Sequence, residues 1–504
     1  MLFFLIFCYY NSFATNYYVS PLGSNINNGL TPLTAFQTID FAANQTIAGD
    51  TVNIGDGTYS NTSINVSGNT SGYIVFKSTN IWGAKIVSTS GSPALSINGN
   101  YIEINGLEVT NPQGHGINAE NTHHVSVLNC HVYNCGNSGI TLGHNPNNTI
   151  PNPCDYYRVE GNLTHNNAQL GFYSGISIYH AIALDNAPGF HIIIRNNTSH
   201  SNITLPTSSD HRDGNGIIVD DFNFTQYDAA TPALGYYNSQ TLIENNLCYN
   251  NGGGGIKIVW TDHVTVRNNT VYRNAVDNLD PGTYKGNIYV QQARDCKFIN
   301  NISYCDPTVN PNISAIMDKG LPSGSSTIPN LWSYNLLYDG TSAGNNNIDT
   351  GDGSTPTISD NISGDPLFLV ESITSTADFH LQAASPAINA GIDSDAPLTD
   401  KDGFTRTLPI DIGCYEYHLP LNVSDDLLVI NEFSVYPNPA SNSITLNNNL
   451  NKSKEFEIYI SNVSGQVVLN NNWNSNNSLI KLDITELCDG GLTPYFLDIF
   501  FKTV

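Results

Sequence analysis

Two stretches decide the fold: Asp213-Gly214-Asn215-Gly216-Ile217-Ile218-Val219-Asp220-Asp221 and Gly252-Gly253-Gly254-Gly255-Ile256-Lys257-Ile258-Val259-Trp260. Both carry the pattern Gly-Ile-x-(Val/Ile). Alternate residues of a strand face opposite sides. Ile217, Val219, Ile256 and Ile258 therefore share one face, and Ile218, Asp220 and Lys257 take the other, toward solvent. As neighbouring rungs of one sheet the two segments would lie about 4.8 Å apart. That gathers an acidic pair and a lysine at one outer face.

Outward from this stretch the pattern recurs at Gly116-Ile117, Gly139-Ile140, Gly175-Ile176 and Asn287-Ile288. Interleaved with it are short turns before apolar strands, among them Gly161-Asn162-Leu163, Asn196-Asn197-Thr198, Asn245-Asn246-Leu247, Asn268-Asn269-Thr270 and Asn300-Asn301-Ile302. The tightest spacing is about 23 residues, within the range of solenoid repeats. A coil that small cannot bury its own apolar face, so coils must stack. Short strands, Asn at recurring turns and no long helix predict an all-β, right-handed parallel β-helix over about residues 50 to 345. Ile117, Ile140, Ile176, Ile217, Ile256 and Ile288 should stack inside it. Asn tolerates left-handed backbone and can form side-chain ladders between coils. His165 and His200 stand three residues after the repeated Asn, where Tyr249, Tyr272, Tyr304 and Tyr338 stand in other repeats. The repeat explains them, and Arg195 and Arg267 beside Asn-Asn turns, as structural residues.

The flanks read differently. Residues 1–14 form a short apolar run ending in Ser-Phe-Ala, the pattern of a cleaved signal peptide. No later stretch supplies the roughly 20 apolar residues of a membrane span. A strand at Asn16 and helix-like spacing over 33–48 suit an N-terminal cap, so residues 15–345 are read as capped β-helix. Residues 346–420 are a closing segment, and 421–504 a small β-sandwich-like C-terminal domain. A monomer is expected.

Only 12% of the 504 residues are charged, and the formal net charge is −25. That argues against nucleic acid and anionic membrane surfaces as partners. An acidic polymer would need a bound cation as intermediary. Of nine cysteines, Cys130 and Cys135 are close enough in sequence to pair, as are Cys296 and Cys305.

The chemistry sits on the central face. Asp210, Asp213, Asp220 and Asp221, with Asp185 one coil earlier, are a carboxylate supply for Ca²⁺, which takes about six to eight oxygen ligands. Asp220 and Asp221 can share an ion only if the strand ends there. Lys257 is a base candidate once a neighbouring cation lowers its pKa. Gly252 to Gly255 would leave room for a ligand near the backbone. A metal-bound uronate would then lose its C5 proton to Lys257, and the glycosidic bond would break by β-elimination.

This acidic pair, followed about one coil later by a lysine, resembles polysaccharide lyase family 9. The resemblance covers about residues 16 to 345 and implies four calcium-binding aspartates and a lysine base. Asp220-Asp221 match the family's pair and Lys257 its base. Asp213 and Asp185 stand for the remaining ligands, while Phe224 occupies a position that is aspartate in the family. The implied function is a secreted lyase acting on an acidic polysaccharide of pectate or alginate type. Two alternatives stay open: a glycoside hydrolase using Asp213, Asp220 and Asp221 without calcium, and a non-enzymatic glycan-binding adhesin. Finally, Phe433-Ser434-Val435-Tyr436-Pro437-Asn438-Pro439 and the strand-like Ile458–Gln466 resemble a type IX secretion sorting domain. That implies the secretion machinery as partner and an extracellular or surface location.

Overall fold

The computed structural model describes residues 14–145, 152–225, 236–280, 285–320 and 326–418, apart from 342, 345, 346 and 375, and beyond them the strands of 433–503. The expected signal peptide lies almost wholly outside the described residues. By compactness the chain divides into two units, Met1–Lys401 with Arg406–Tyr417, and Asp402–Thr405 with His418–Val504.

The first unit is a parallel β-helix. Each coil contributes one strand to each of three sheets. The first sheet holds 12 strands from Asn16–Val19 to Thr357–Ser359, the second 11 from Gly57–Tyr59 to Ile362–Ser363, and the third 10 from Thr62–Ile64 to Ile348–Gly351. All pairings within them are parallel and link one coil to the next, such as Ile217 with Ile256. The six isoleucines form one continuous column on the inside of the third sheet, each fully buried. Ile316 extends the column by another rung. The coils run past residue 345. The last one, with strands at Ile348–Gly351, Thr357–Ser359 and Ile362–Ser363, exposes Ile348 and Ile358, so its apolar pattern gives a weak signal.

The repeated Asn pairs have a physical explanation. At the corner between first and second sheets one residue takes a left-handed backbone: Gly161, Asn196, Asn245, Asn268, Asn300 or Tyr334. The Asn that follows turns inward, and its Oδ1 accepts from both the backbone and the side chain of the coil before. This runs from Asn162 to Asn197 at 2.9 and 3.0 Å, and on through Asn246, Asn269, Asn301, Asn335 and Asn361. A second ladder, Asn167–Asn202–Asn251–Asn274–Asn287, lines the next corner. Buried amides that would otherwise be orphaned are thereby satisfied.

The N-terminal cap is smaller than the spacing suggests. It has a 3-10 turn at Pro32–Thr34 and a five-residue helix Ile39–Ala43, capped by the Thr38 hydroxyl. Phe36, Ile39, Ala42 and Ala43 plug the core. The closing segment flanks the solenoid rather than ending it. Phe368, Phe379, Leu381 and Ile412 pack on Leu247, Tyr249, Tyr272, Ile302 and Leu336 of the second sheet. Arg406 ties it down with a buried ion pair to Glu416 at 3.1 Å and a bond to Asn245 at 2.9 Å.

Neither expected cysteine pair is formed, and all seven described cysteines are buried. Cys130 and Cys135 stand at opposite ends of the strand His131–Tyr133, roughly 15 Å of extended chain. A disulfide needs Cα atoms within about 7 Å. Two strands, Lys297–Ile299 and Ile302–Tyr304, separate Cys296 from Cys305. In the second unit the described strands form two three-stranded antiparallel sheets.

Candidate active site

The third sheet's outer face bears the site. The fourth position after each Gly-Ile motif faces outward, and successive rungs place Glu120, Gly143, Tyr179, Asp220 and Val259 in one column. Gly143 has φ +149°, and a Cβ there would meet the Tyr179 carbonyl oxygen at 1.9 Å. Only glycine fits at that rung, so it presents no side chain between Glu120 and Tyr179. Tyr179 reaches across the gap and donates its phenol proton to Glu120 Oε1 at 2.7 Å. A cleft of about 470 Å³ results, lined by His115, Glu120, Tyr173, Tyr179, Asp213 and Asp220 among others.

Lys257 lies beside Ile218 in the next column. Its ammonium donates to Asp213 Oδ1 at 2.9 Å and sits 5.2 Å from the Tyr289 ring centre. The same Asp213 Oδ1 also accepts from Asn215 Nδ2 at 2.9 Å, and buried Asn215 is itself fixed by the Gly254 amide, also at 2.9 Å. Burial acts to lower the Lys257 ammonium, but the Asp213 carboxylate, Tyr289 and Asp220 outweigh it, so it stays above the ordinary lysine range. Burial first, then the Asp213 carboxylate, push the Asp220 carboxyl up to about 8; Lys257 opposes this and Asp221 adds to it. Among the described residues, buried Asp220 Oδ1 has no hydrogen-bond partner. A neutral carboxyl costs less in that position than an unpartnered carboxylate. His115, bonded to the Thr141 hydroxyl at 3.1 Å, is lowered to about 4 by burial.

The expected aspartates divide. Asp213 and Asp220 share the cleft with Lys257 alongside. The strand ends at Asp220, and Asp221 turns away with φ +56° into full burial. There it bonds His180 Nε2 at 2.9 Å and the Thr225 amide at 2.5 Å, with Phe224 stacked on His180 at 5.6 Å. Asp185 belongs to another cluster, accepting from Tyr156 at 2.7 Å and the Ala187 amide at 2.9 Å. Asp210 pairs with Arg212 at the rim.

This donor set does not suit calcium. The ion wants about six to eight oxygens, yet Asp221 is spent on an imidazole, Asp185 lies elsewhere, and Asp213 already holds the Lys257 cation. Among the described residues no group of three or more His, Cys, Asp or Glu is arranged to hold a metal. Gly252 to Gly255 also serve packing rather than a ligand: Cβ atoms at Gly253 and Gly255 would strike Asn215 at 2.3 Å and Val271 at 2.2 Å.

Glu120, Tyr179, His115 and His180 are the site residues that reading the sequence missed. Aligning the Gly-Ile repeats to their fourth position would have placed Glu120 and Tyr179 beside Asp220.

Fold and cleft define a parallel β-helix with an acidic outer groove, and the chain also carries an address. Residues 434–500 match the secretion system C-terminal sorting domain family. That domain marks type IX cargo, so the protein is extracellular or attached to the cell surface. No helix among the described residues is long and apolar enough to cross a membrane. No curated protein matches the chain. Similar solved structures include the pectate lyase Pel9A (15% identity, TM-score 0.48, 81% of this chain and 97% of that one). An alginate lyase from Paenibacillus sp. str. FPU-7 is also similar (16% identity, TM-score 0.39, 64% and 92%). So is a GH136 lacto-N-biosidase from Eubacterium ramulus (14% identity, TM-score 0.38, 69% and 68%).

Proposed function

We propose that the protein is a secreted polysaccharide-cleaving enzyme that hydrolyses glycosidic bonds, with Asp220 as general acid and Asp213 as the opposing carboxylate. The observation that carries this is the pairing in one cleft of Asp220, whose Oδ1 is buried without a hydrogen-bond partner, with an Asp213 clamped by Lys257 at 2.9 Å. A carboxyl held protonated beside a second carboxyl is the usual acid and base arrangement of glycoside hydrolysis. Asp220, protonated below about 8, can give its proton to the leaving glycosidic oxygen. Asp213 activates water or attacks the anomeric carbon. Lys257 then orients Asp213 and balances its charge.

A second reading, β-elimination with Lys257 as base, draws on the place of Lys257 one rung from Asp220. It requires the amine to give up a proton that Asp213 holds. Products decide between the two: hydrolysis yields reducing ends alone, whereas elimination yields an unsaturated end absorbing in the ultraviolet. Lys257→Met should leave measurable hydrolysis, and complete loss of turnover with that variant would favour elimination.

A further inference from the structure

The charge balance of the cleft reaches further, and the step rests on the acid–base reading above. We propose that the glycan bound here carries no acidic group, and that Glu120 is the residue that excludes one. Among the described residues the lining includes Glu120, Asp213 and Asp220 but no Lys or Arg. The two nearest cations are already matched, Lys257 to Asp213 at 2.9 Å and Arg212 to Asp210 at 2.5 Å. Arg212 also lies over the Phe172 ring at 4.4 Å, which holds it at the rim. The net charge of −25 offers no attractive field from farther off.

Glu120 is built to accept from hydroxyls. Its Oε1 takes the Tyr179 phenol at 2.7 Å and its Oε2 the Asn145 amide at 2.8 Å. Each oxygen keeps a further lone pair for a sugar hydroxyl. A uronate carboxylate in that place has no proton to offer and meets a like charge, a juxtaposition that suppresses a wrong partner. With no fit for a bridging calcium ion, nothing in the described cleft reverses the sign.

The test uses the full chain carrying Asp220→Asn, so that ligands are not consumed. Binding is measured to polygalacturonate and alginate, to the carboxyl-reduced form of each, and to galactan, mannan and xylan. The expected result is that at least one uncharged glycan binds, and that in any pair the acidic member binds about tenfold or more weakly at low salt. The gap should narrow at high salt and on adding Glu120→Gln, which keeps an acceptor and removes the charge. Equal or tighter binding of the acidic members, or no binding of any uncharged glycan, would overturn the inference. A gap unmoved by Glu120→Gln would overturn the role of Glu120. Reducing ends released by the native protein from polygalacturonate or alginate without a rise in ultraviolet absorbance would overturn the inference and leave the acid–base reading standing. An uncharged glycan that binds but is never cleaved would do the reverse.

Discussion

The second and third sheets carry their outward side chains in opposite ways. On the second sheet one column repeats a residue type rung after rung: Tyr133, His165, His200, Tyr249, Tyr272, Tyr304, Tyr338. The rings stack from Tyr133 to Tyr249, with His165 and His200 at 5.0 Å and His200 and Tyr249 at 4.6 Å, meet edge-on from Tyr272 to Tyr338, and are covered at the far end by the closing segment. On the third sheet the corresponding column changes at every rung, from Glu120 through Gly143 and Tyr179 to Asp220. Repetition packs each ring against its neighbours. Where the repeat breaks, a hollow opens and charges meet that the fold does not need. In a solenoid, function is read from departures from the repeat.

The largest expected effect sharpens that contrast. Asp220→Asn and Asp213→Asn should each lower kcat by about 10²- to 10⁴-fold, the usual worth of a positioned acid or base, with the circular dichroism spectrum unchanged. Either variant keeping wild-type turnover on a cleaved glycan would break it. Next comes pH. Asp220 is the proton donor and its carboxyl is raised to about 8, so activity is present below that value and falls as pH rises through it. Linkage has the same sign. A carboxyl raised in the folded state adds stability at low pH that is lost between the ordinary carboxylate range and about 8. Asp220→Asn should therefore melt above wild type at pH 9 while being less active, and a lower melting temperature there would contradict its burial as an unpartnered acid.

Smaller effects come from the repeats themselves. Asn246→Ala removes a ladder rung and orphans neighbouring amides, at a cost of about 1–3 kcal/mol. That should appear as a fall of several degrees in Tm with kcat unchanged. Smallest is His200→Tyr, which only makes the second-sheet column more uniform. Turnover within about twofold of wild type is expected, and a larger loss would mean that this column takes part in function.

Much of this was legible in the residue order. The Gly-Ile motif fixed the inward column because a strand has period two and each rung repeats it. The position of His165 and His200 in the repeat placed them in the second-sheet ring column where the structure has them. Asp220 and Lys257 were placed on one face by alternation alone, whereas Asp213 precedes the strand and reaches Lys257 from outside it. What escaped depends on where side chains turn at strand ends. Asp221 follows Asp220 by one residue, yet a left-handed backbone sends it to His180. Asp185 lies in a loop whose path no periodicity sets. The Gly252–Gly255 run reads as open space, whereas its glycines admit side chains of adjacent coils.

The most direct test of the central claim is to digest a bound glycan with the full chain in excess chelator, following reducing ends and ultraviolet absorbance together. The acid–base account predicts reducing ends at an undiminished rate with no rise in absorbance. Absorbing ends that form with calcium and vanish with chelator would contradict it, and would return Lys257 and the aspartates to the roles of base and metal ligands.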